Sequence, residues 1–169
     1  NGKYTYVVSG NVKYDNMGRA VEQGMSFTGS GNGSYETGSS KKTETEYDER
    51  GRAIRVTAPD GTETEINYGM SGSEYVETVT DAEGRTKTKY TDASGNIVKV
   101  VEGGAVTTRY EYDSLNQLKT ITDAEGNVTI CEYDIGGRRT STDNPDTGRV
   151  TYTYDSANNL TGKSTPEQR

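Results

Sequence analysis

The chain has 169 residues, with 26 acidic against 19 basic side chains and a net charge of −7 carried as interleaved signs; with no basic stripe and no apolar run of spanning length, a nucleic-acid footprint, a polybasic membrane patch and a transmembrane helix are excluded. Ile, Leu, Val and Phe supply only 23 of the 169 residues, under the roughly 20% below which disorder is expected. Thirteen tyrosines and abundant Thr and Val nevertheless alternate along the chain, which suits pleated, half-wet strands and predicts a thin, folded, all-β protein.

Residues 1–46 are the least regular. Lys3–Val8 and Val12–Tyr14 read as two strands joined across Ser9-Gly10-Asn11 as a hairpin. Tyr14-Asp15 opens a phrase that returns at Tyr47-Asp48, with Gly29–Ser34 and Gly38–Ser40 between them as flexible punctuation. We therefore expect irregular strands with a Gly/Ser-rich insertion over 1–46 and a regular array over 47–169.

From Tyr47 the rhythm is steady. Gly51, Gly61, Gly72, Gly84, Gly95, Gly104, Asn116, Gly126, Gly137, Gly148 and Asn158 recur every 10.7 residues on average. Gly and Asn tolerate the positive φ of tight turns, and an Asp before them can bond the backbone two residues on. That step holds one strand and one short turn, too short for parallel crossovers, so the predicted fold is an antiparallel β-hairpin meander with almost no helix. In Val150-Thr-Tyr152-Thr-Tyr154 the bulky residues share one face. About eleven strands from Tyr47 onward imply a curling sheet with a tyrosine-lined face, its gaps filled by residues such as Leu118 and Ile121. The final strand, Arg149–Tyr154, is expected to be an exposed, self-associating edge.

The strongest signal is a phrase written three times at intervals of 21 residues: Tyr112-Asp113-x-x-Asn116-x-Leu118, Tyr133-Asp134-x-x-Gly137-Arg138 and Tyr154-Asp155-x-x-Asn158-x-Leu160. Tyr47-Asp48-x-x-Gly51-Arg52 is a fourth copy, and Asp81-x-x-Gly84 and Asp123-x-x-Gly126 are linking turns between copies. Copies at Tyr68-Gly69 and Tyr90-Thr91-Asp92 depart from the pattern. Together these stretches, roughly Thr43 to Gly162, resemble the YD-repeat or Rhs-repeat family. The resemblance implies a β-hairpin repeat that spirals into a hollow shell, which encloses a toxic domain in bacterial Rhs proteins and Tc toxins and serves adhesion in teneurins. It implies a bacterial secreted or cell-surface location. The family's self-cleaving segment has no counterpart here, so neither protease nor toxin is carried over.

The residues themselves offer little chemistry. One cysteine permits no internal disulfide, and Cys131 takes the slot of Tyr110 and Tyr152, a packing position with no histidine to activate its thiol. Asp81-Ala-Glu83 and Asp123-Ala-Glu125 lack the oxygens of a calcium loop, and the glycine run at 29–34 opens no phosphate-binding helix. No catalytic residue, metal or cofactor is expected. The favoured function is a non-enzymatic scaffold within an encapsulating shell, with a surface adhesion or carbohydrate-binding module as the alternative. Its partners would be neighbouring repeats, an enclosed polypeptide or surface glycan, and further copies at the sheet edges. Lacking an initiating methionine and a signal peptide, the sequence reads as part of a longer array.

Overall fold

A computed structural model describes residues 4–31 and 41–166. It contains sixteen strands: β1 (Tyr4–Val8), β2 (Val12–Tyr14), β3 (Ala20–Gly24), β4 (Phe27–Gly31), β5 (Lys42–Tyr47), β6 (Ala53–Thr57), β7 (Glu63–Ser71), β8 (Glu74–Thr80), β9 (Thr86–Thr91), β10 (Ile97–Glu102), β11 (Val106–Tyr112), β12 (Leu118–Thr122), β13 (Val128–Tyr133), β14 (Arg139–Asn144), β15 (Gly148–Tyr154) and β16 (Leu160–Ser164). Among the described residues there is no helix. β1 and β4 make a two-stranded sheet, and the other fourteen strands follow one another in a single antiparallel order from β2 to β16. The expected meander is the fold.

The chain divides into two compact units, Asn1–Asn67 with Thr78–Arg85, and Tyr68–Glu77 with Thr86–Arg169. In the first unit the pleat separates two chemistries. Thr45, Val56 and Thr64 stand opposite one another on one face, while Glu46, Arg55 and Glu65 do so on the other. Arg55 reaches both flanking strands there, 3.6 Å from Glu46 and 3.1 Å from Glu65. Strand β7 alternates exposed and half-buried residues from Glu63 through Tyr68, as a sheet with one solvated face should.

The second unit repeats the division. On β13, Thr129, Cys131 and Tyr133 are covered while Val128, Ile130 and Glu132 are exposed. Cys131 stands opposite Thr142, and Thr142 opposite Val150, which shares its face with Tyr152 and Tyr154. Apart from glycine, only Cys131 and Ser141 are fully buried among the described residues, at 5% and 1% exposure. They lie on opposite faces, so neither face has a core in the usual sense, and cohesion must come largely from the backbone ladder and the turns.

Three expectations are corrected. β1 does not form a hairpin with β2; it pairs with β4, in register from Tyr4 opposite Gly31 to Val8 opposite Phe27. The bare Cα of Gly29 makes room for the Tyr6 ring, since a Cβ there would lie 2.7 Å from it. The glycine run is therefore strand through Gly31, and its remainder, residues 32–40, lies outside the described residues. The third correction concerns the edge. Tyr152 of β15 stands opposite Lys163 of β16, so Arg149–Tyr154 is an interior strand and β16 is the edge. Leu160-Thr-Gly-Lys-Ser164 has weak strand propensity, but the turn before it delivers it onto β15. Gly162 fits closely against that strand, because a Cβ there would meet Thr153 Oγ1 at 2.6 Å.

Candidate functional site

The repeated element is a turn built around one carboxylate. At Asp15, Asp48, Asp81, Asp92, Asp113, Asp123, Asp134 and Asp155 the aspartate N–H donates to the carbonyl four residues on, at 2.9–3.1 Å. The N–H three residues on donates back to the aspartate carbonyl at 2.9–3.2 Å. The residue three on is left-handed in every case, glycine at six turns and Asn116 (φ 66°) and Asn158 (φ 67°) at the other two. A register shift beside the tyrosine accompanies these hairpins, as at Tyr112 opposite Leu118 and Tyr133 opposite Arg139.

The side chain completes the closure. At Asp134, Oδ1 accepts the N–H groups of Gly136 and Arg138 at 2.9 and 3.0 Å, and Oδ2 accepts Arg138 Nε at 2.6 Å. Asp123 is built alike, with Glu125 and Asn127 N–H on Oδ1 and the Asn127 amide on Oδ2 at 2.9 Å. Asp81 takes Glu83 and Arg85 N–H on Oδ1 and Arg85 Nε on Oδ2. Charge-stabilising donors hold these carboxyls below their ordinary range. At Asp15, Asp48, Asp92 and Asp134 the chief cause is the backbone N–H four residues on; at Asp123 and Asp155 it is the side-chain amide of Asn127 or Asn159. Gly61 closes an equivalent turn on Ala58, where Asp60 instead caps Thr62. The copy that departs from the pattern at Tyr90-Thr91-Asp92 keeps the full turn, since Asp92 and Gly95 make the same bonds.

The tyrosines add what the linking turns lack. Tyr112 hydroxyl donates to the Ile97 carbonyl at 3.1 Å, Tyr133 to Leu118 at 2.9 Å, and Tyr154 to Arg139 at 2.9 Å. In the first unit Tyr47 donates to Ala20 at 2.9 Å. The acceptors Ala20, Ile97, Leu118 and Arg139 lie five residues after Asp15, Asp92, Asp113 and Asp134. Every such tyrosine therefore ties its own hairpin to one of those four turns, through a backbone oxygen that no side-chain substitution can remove.

A return contact comes from the residue four after the aspartate. Arg19 lies 4.8 Å from the Tyr47 ring and donates to the Asp48 carbonyl at 3.1 Å. Arg138 lies 5.2 Å from the Tyr154 ring and donates to the Asp155 carbonyl and to Asn158 Oδ1 at 3.1 and 2.9 Å. Asn96 donates to Asn116 Oδ1 at 2.5 Å. Sequence reasoning selected the tyrosine, the aspartate and the left-handed residue, and it quoted Arg52 and Arg138 in the phrase without giving this position a role. Its signal was available: Arg19, Arg52, Asn96, Gln117, Arg138 and Asn159 are all hydrogen-bond donors.

Between the Asp113 and Asp134 turns lies a shallow depression of about 580 Å³, lined by Leu115, Gln117, Lys119, Cys131, Tyr133 and Ile135 among others. Ile135 and Leu115 at its rim are largely exposed. Neighbouring tyrosine hydroxyls are committed to carbonyls, and the aspartates to their own turns. The arrangement binds strands to strands.

A turn of this composition, repeated in register over the chain, is matched by the model of the teneurin YD-shell over residues 11–169. The chain belongs to the teneurin YD-shell family. No curated protein matches it at the sequence level. Among solved structures it is similar to the crystal structure of TcdB2-TccC3-Cdc42, with a TM-score of 0.75 and 17% identity over 95% of this chain and 9% of that one. TcdB2-TccC3 without its hypervariable C-terminal region gives a TM-score of 0.74 at 17% identity, with the same coverage. The Photorhabdus luminescens Tc holotoxin pore carrying a TccC3 mutation gives 0.53 at 17% identity, over 98% of this chain and 11% of that one. The YD-shell segment thus spans about a tenth of the length of these structures. It is a structural shell segment.

Proposed function

We propose that this segment is part of the wall of an encapsulating shell in a secreted or cell-surface bacterial protein, with its tyrosine face toward an enclosed polypeptide and no catalytic role. The observation that carries this reading is the tyrosine-to-carbonyl ladder, which extends a sheet repeat by repeat without a packed core. Such a wall can enclose volume without filling it. Residues 47–169 supply the regular wall, and 1–46, with the insertion, a less regular stretch beside it. The resemblance to shells that hold a toxic domain supports an enclosed polypeptide.

Limited proteolysis of the full-length protein tests this. An enclosed polypeptide should resist protease until the shell is unfolded, and become susceptible together with it. A polypeptide digested freely while the shell remains intact would overturn encapsulation. Specific retention of the 169-residue chain on immobilised glycans would assign the adhesion reading instead.

A further inference from the structure

The three copies of the 21-residue phrase are not equivalent. Where the first and third hold Tyr110 and Tyr152, the middle one holds Cys131. Where they hold Ser114 and Ser156 it holds Ile135, and where they hold Leu118 and Leu160 it holds Arg139. Two of these departures meet in the depression of about 580 Å³ between the Asp113 and Asp134 turns. Cys131 lies in its lining at 5% exposure, while Ile135 stands fully exposed on its rim near Leu115. The third lies beside it, with the Arg139 guanidinium 5.8 Å from the ring of Tyr133, which also lines the depression. A ring is missing from the floor where the repeat supplies one, and the volume is ample for a bulky side chain.

The face that carries the depression is also the cationic one. From β11 to β16, pairing and alternation put Glu111, Glu132 and Asp143 on the face opposite the tyrosines. There Glu111 and Glu132 accept the hydroxyls of Thr120 and Ser141 at 2.9 and 2.7 Å. Among the described residues, no strand carboxylate of β11–β16 remains on the tyrosine face. That face holds instead Lys119, which lines the depression, and Lys163, which stands opposite Tyr152. Neither lysine has an ion pair among the described residues. The carboxylates at the border, Asp113 and Asp134, are taken up by donors of their own turns. A chain of net charge −7 thus offers uncompensated positive charge around one apolar-rimmed seat.

We propose that the tyrosine face of β12–β14 binds an acidic polypeptide segment. One aromatic side chain of that segment sits in the depression over Cys131, and its flanking carboxylates meet Lys119 and Arg139. The seat takes a ring because Tyr110 and Tyr152 fill the corresponding slots with rings, and the cations select the charge. This rests on the reading of the tyrosine face as the one turned toward an enclosed polypeptide, and it gives that polypeptide a chemistry.

End-blocked heptapeptides carrying a fluorophore test it, titrated with the 169-residue chain at about 0.15 M salt, where the net charge acts over only about 8 Å. A central phenylalanine among glutamates should give saturable binding by anisotropy. Lysines in place of the glutamates should abolish it, and alanine in place of the phenylalanine should weaken it about tenfold, as for one buried aromatic side chain. Cys131→Tyr returns the slot to the form of its sisters; it should also weaken binding about tenfold, with a urea midpoint at or above wild type. Lys119 is exposed, so Lys119→Gln should fold as wild type and weaken binding about threefold, which keeps the proposal testable if the tyrosine variant misfolds. Equal binding of the glutamate and lysine peptides, wild-type binding by Lys119→Gln and a folded Cys131→Tyr, or no binding at all would overturn it. Protease protection of the full-length protein depends on enclosure and not on this charge or seat, so the two readings fail separately.

Discussion

The Asp123 and Asp134 hairpins lie at opposite ends of β13 and close with the same backbone bonds and the same Oδ1 acceptor. They differ in what leaves the turn. Asp123 is preceded by a threonine and followed by Asn127, whose amide stays on the turn's own carboxylate; this hairpin's side-chain bond to another comes from outside the turn, where Thr129 accepts the Asn144 amide at 2.8 Å. Asp134 is preceded by Tyr133, which reaches back to Leu118, and followed by Arg138, which reaches forward to Asp155 and Asn158. Local closure and cohesion between repeats are thus written in separate positions. The aspartate and the left-handed residue close a turn, while the residues at either side of them decide whether it is tied to its neighbours.

The largest expected effects fall on closure, where the two ends should behave alike. Gly126→Val and Gly137→Val force a β-branched side chain to φ of 89° and 79°, at a cost of about 1–3 kcal/mol each. A Cβ at Gly126 meets open space, whereas one at Gly137 comes 3.1 Å from Gln117 Nε2, so Gly137→Val should be the worse of the two. Gly126→Asn should be tolerated, because Asn116 and Asn158 already hold this conformation. Urea denaturation of the three variants checks the order; a Gly126→Val midpoint equal to wild type would mean that turn is not left-handed.

A smaller effect separates the ends. Tyr133→Phe deletes the bond to Leu118 and should lose about 1 kcal/mol. Tyr152→Phe should lose nothing, since the Tyr152 hydroxyl has no bond among the described residues. Equal losses from both would show that the carbonyl bond does not hold successive hairpins together.

This division also explains what was legible in the sequence. Turn closure depends on residue type at fixed offsets, so Gly51, Gly84, Asn116 and Asn158 betrayed the turns, and the meander followed from the step length. Cohesion was less legible because its acceptors are backbone carbonyls, which leave no letter; nothing in Ala20, Ile97, Leu118 or Arg139 marks a shared role. The β1–β4 pairing was hidden for a related reason. It depends on a glycine that makes room for a ring across the sheet, a contact between residues distant in sequence. The edge was misjudged because propensity favoured Val150–Tyr154 over Leu160–Ser164, while the Asp155 turn determines where the later strand goes.

The smallest expected effect distinguishes the two turns electrostatically. The Asp134 carboxyl is lowered first by the Arg138 backbone N–H and then by its guanidinium, and the Asp123 carboxyl first by the neutral Asn127 amide. In both, the folded-state value lies below the unfolded one, so the contribution is complete above the unfolded value, near pH 3.9, and is lost as pH falls through the folded value. Acid should therefore weaken both hairpins, but salt should weaken only the one that contains a cation. Arg138→Asn makes the Asp134 turn resemble the Asp123 turn and removes the forward bonds of the guanidinium. Its deficit relative to wild type, read from urea midpoints at pH 7, should narrow between about 0.01 M and 1 M salt, where screening shortens from about 30 Å to 3 Å. Part of the deficit should survive, because the hydrogen bonds to the Asp155 carbonyl and Asn158 persist in salt. A deficit that does not change with salt would mean Arg138 acts through hydrogen bonding and packing on Tyr154 alone, with no share for its ion pair with Asp134.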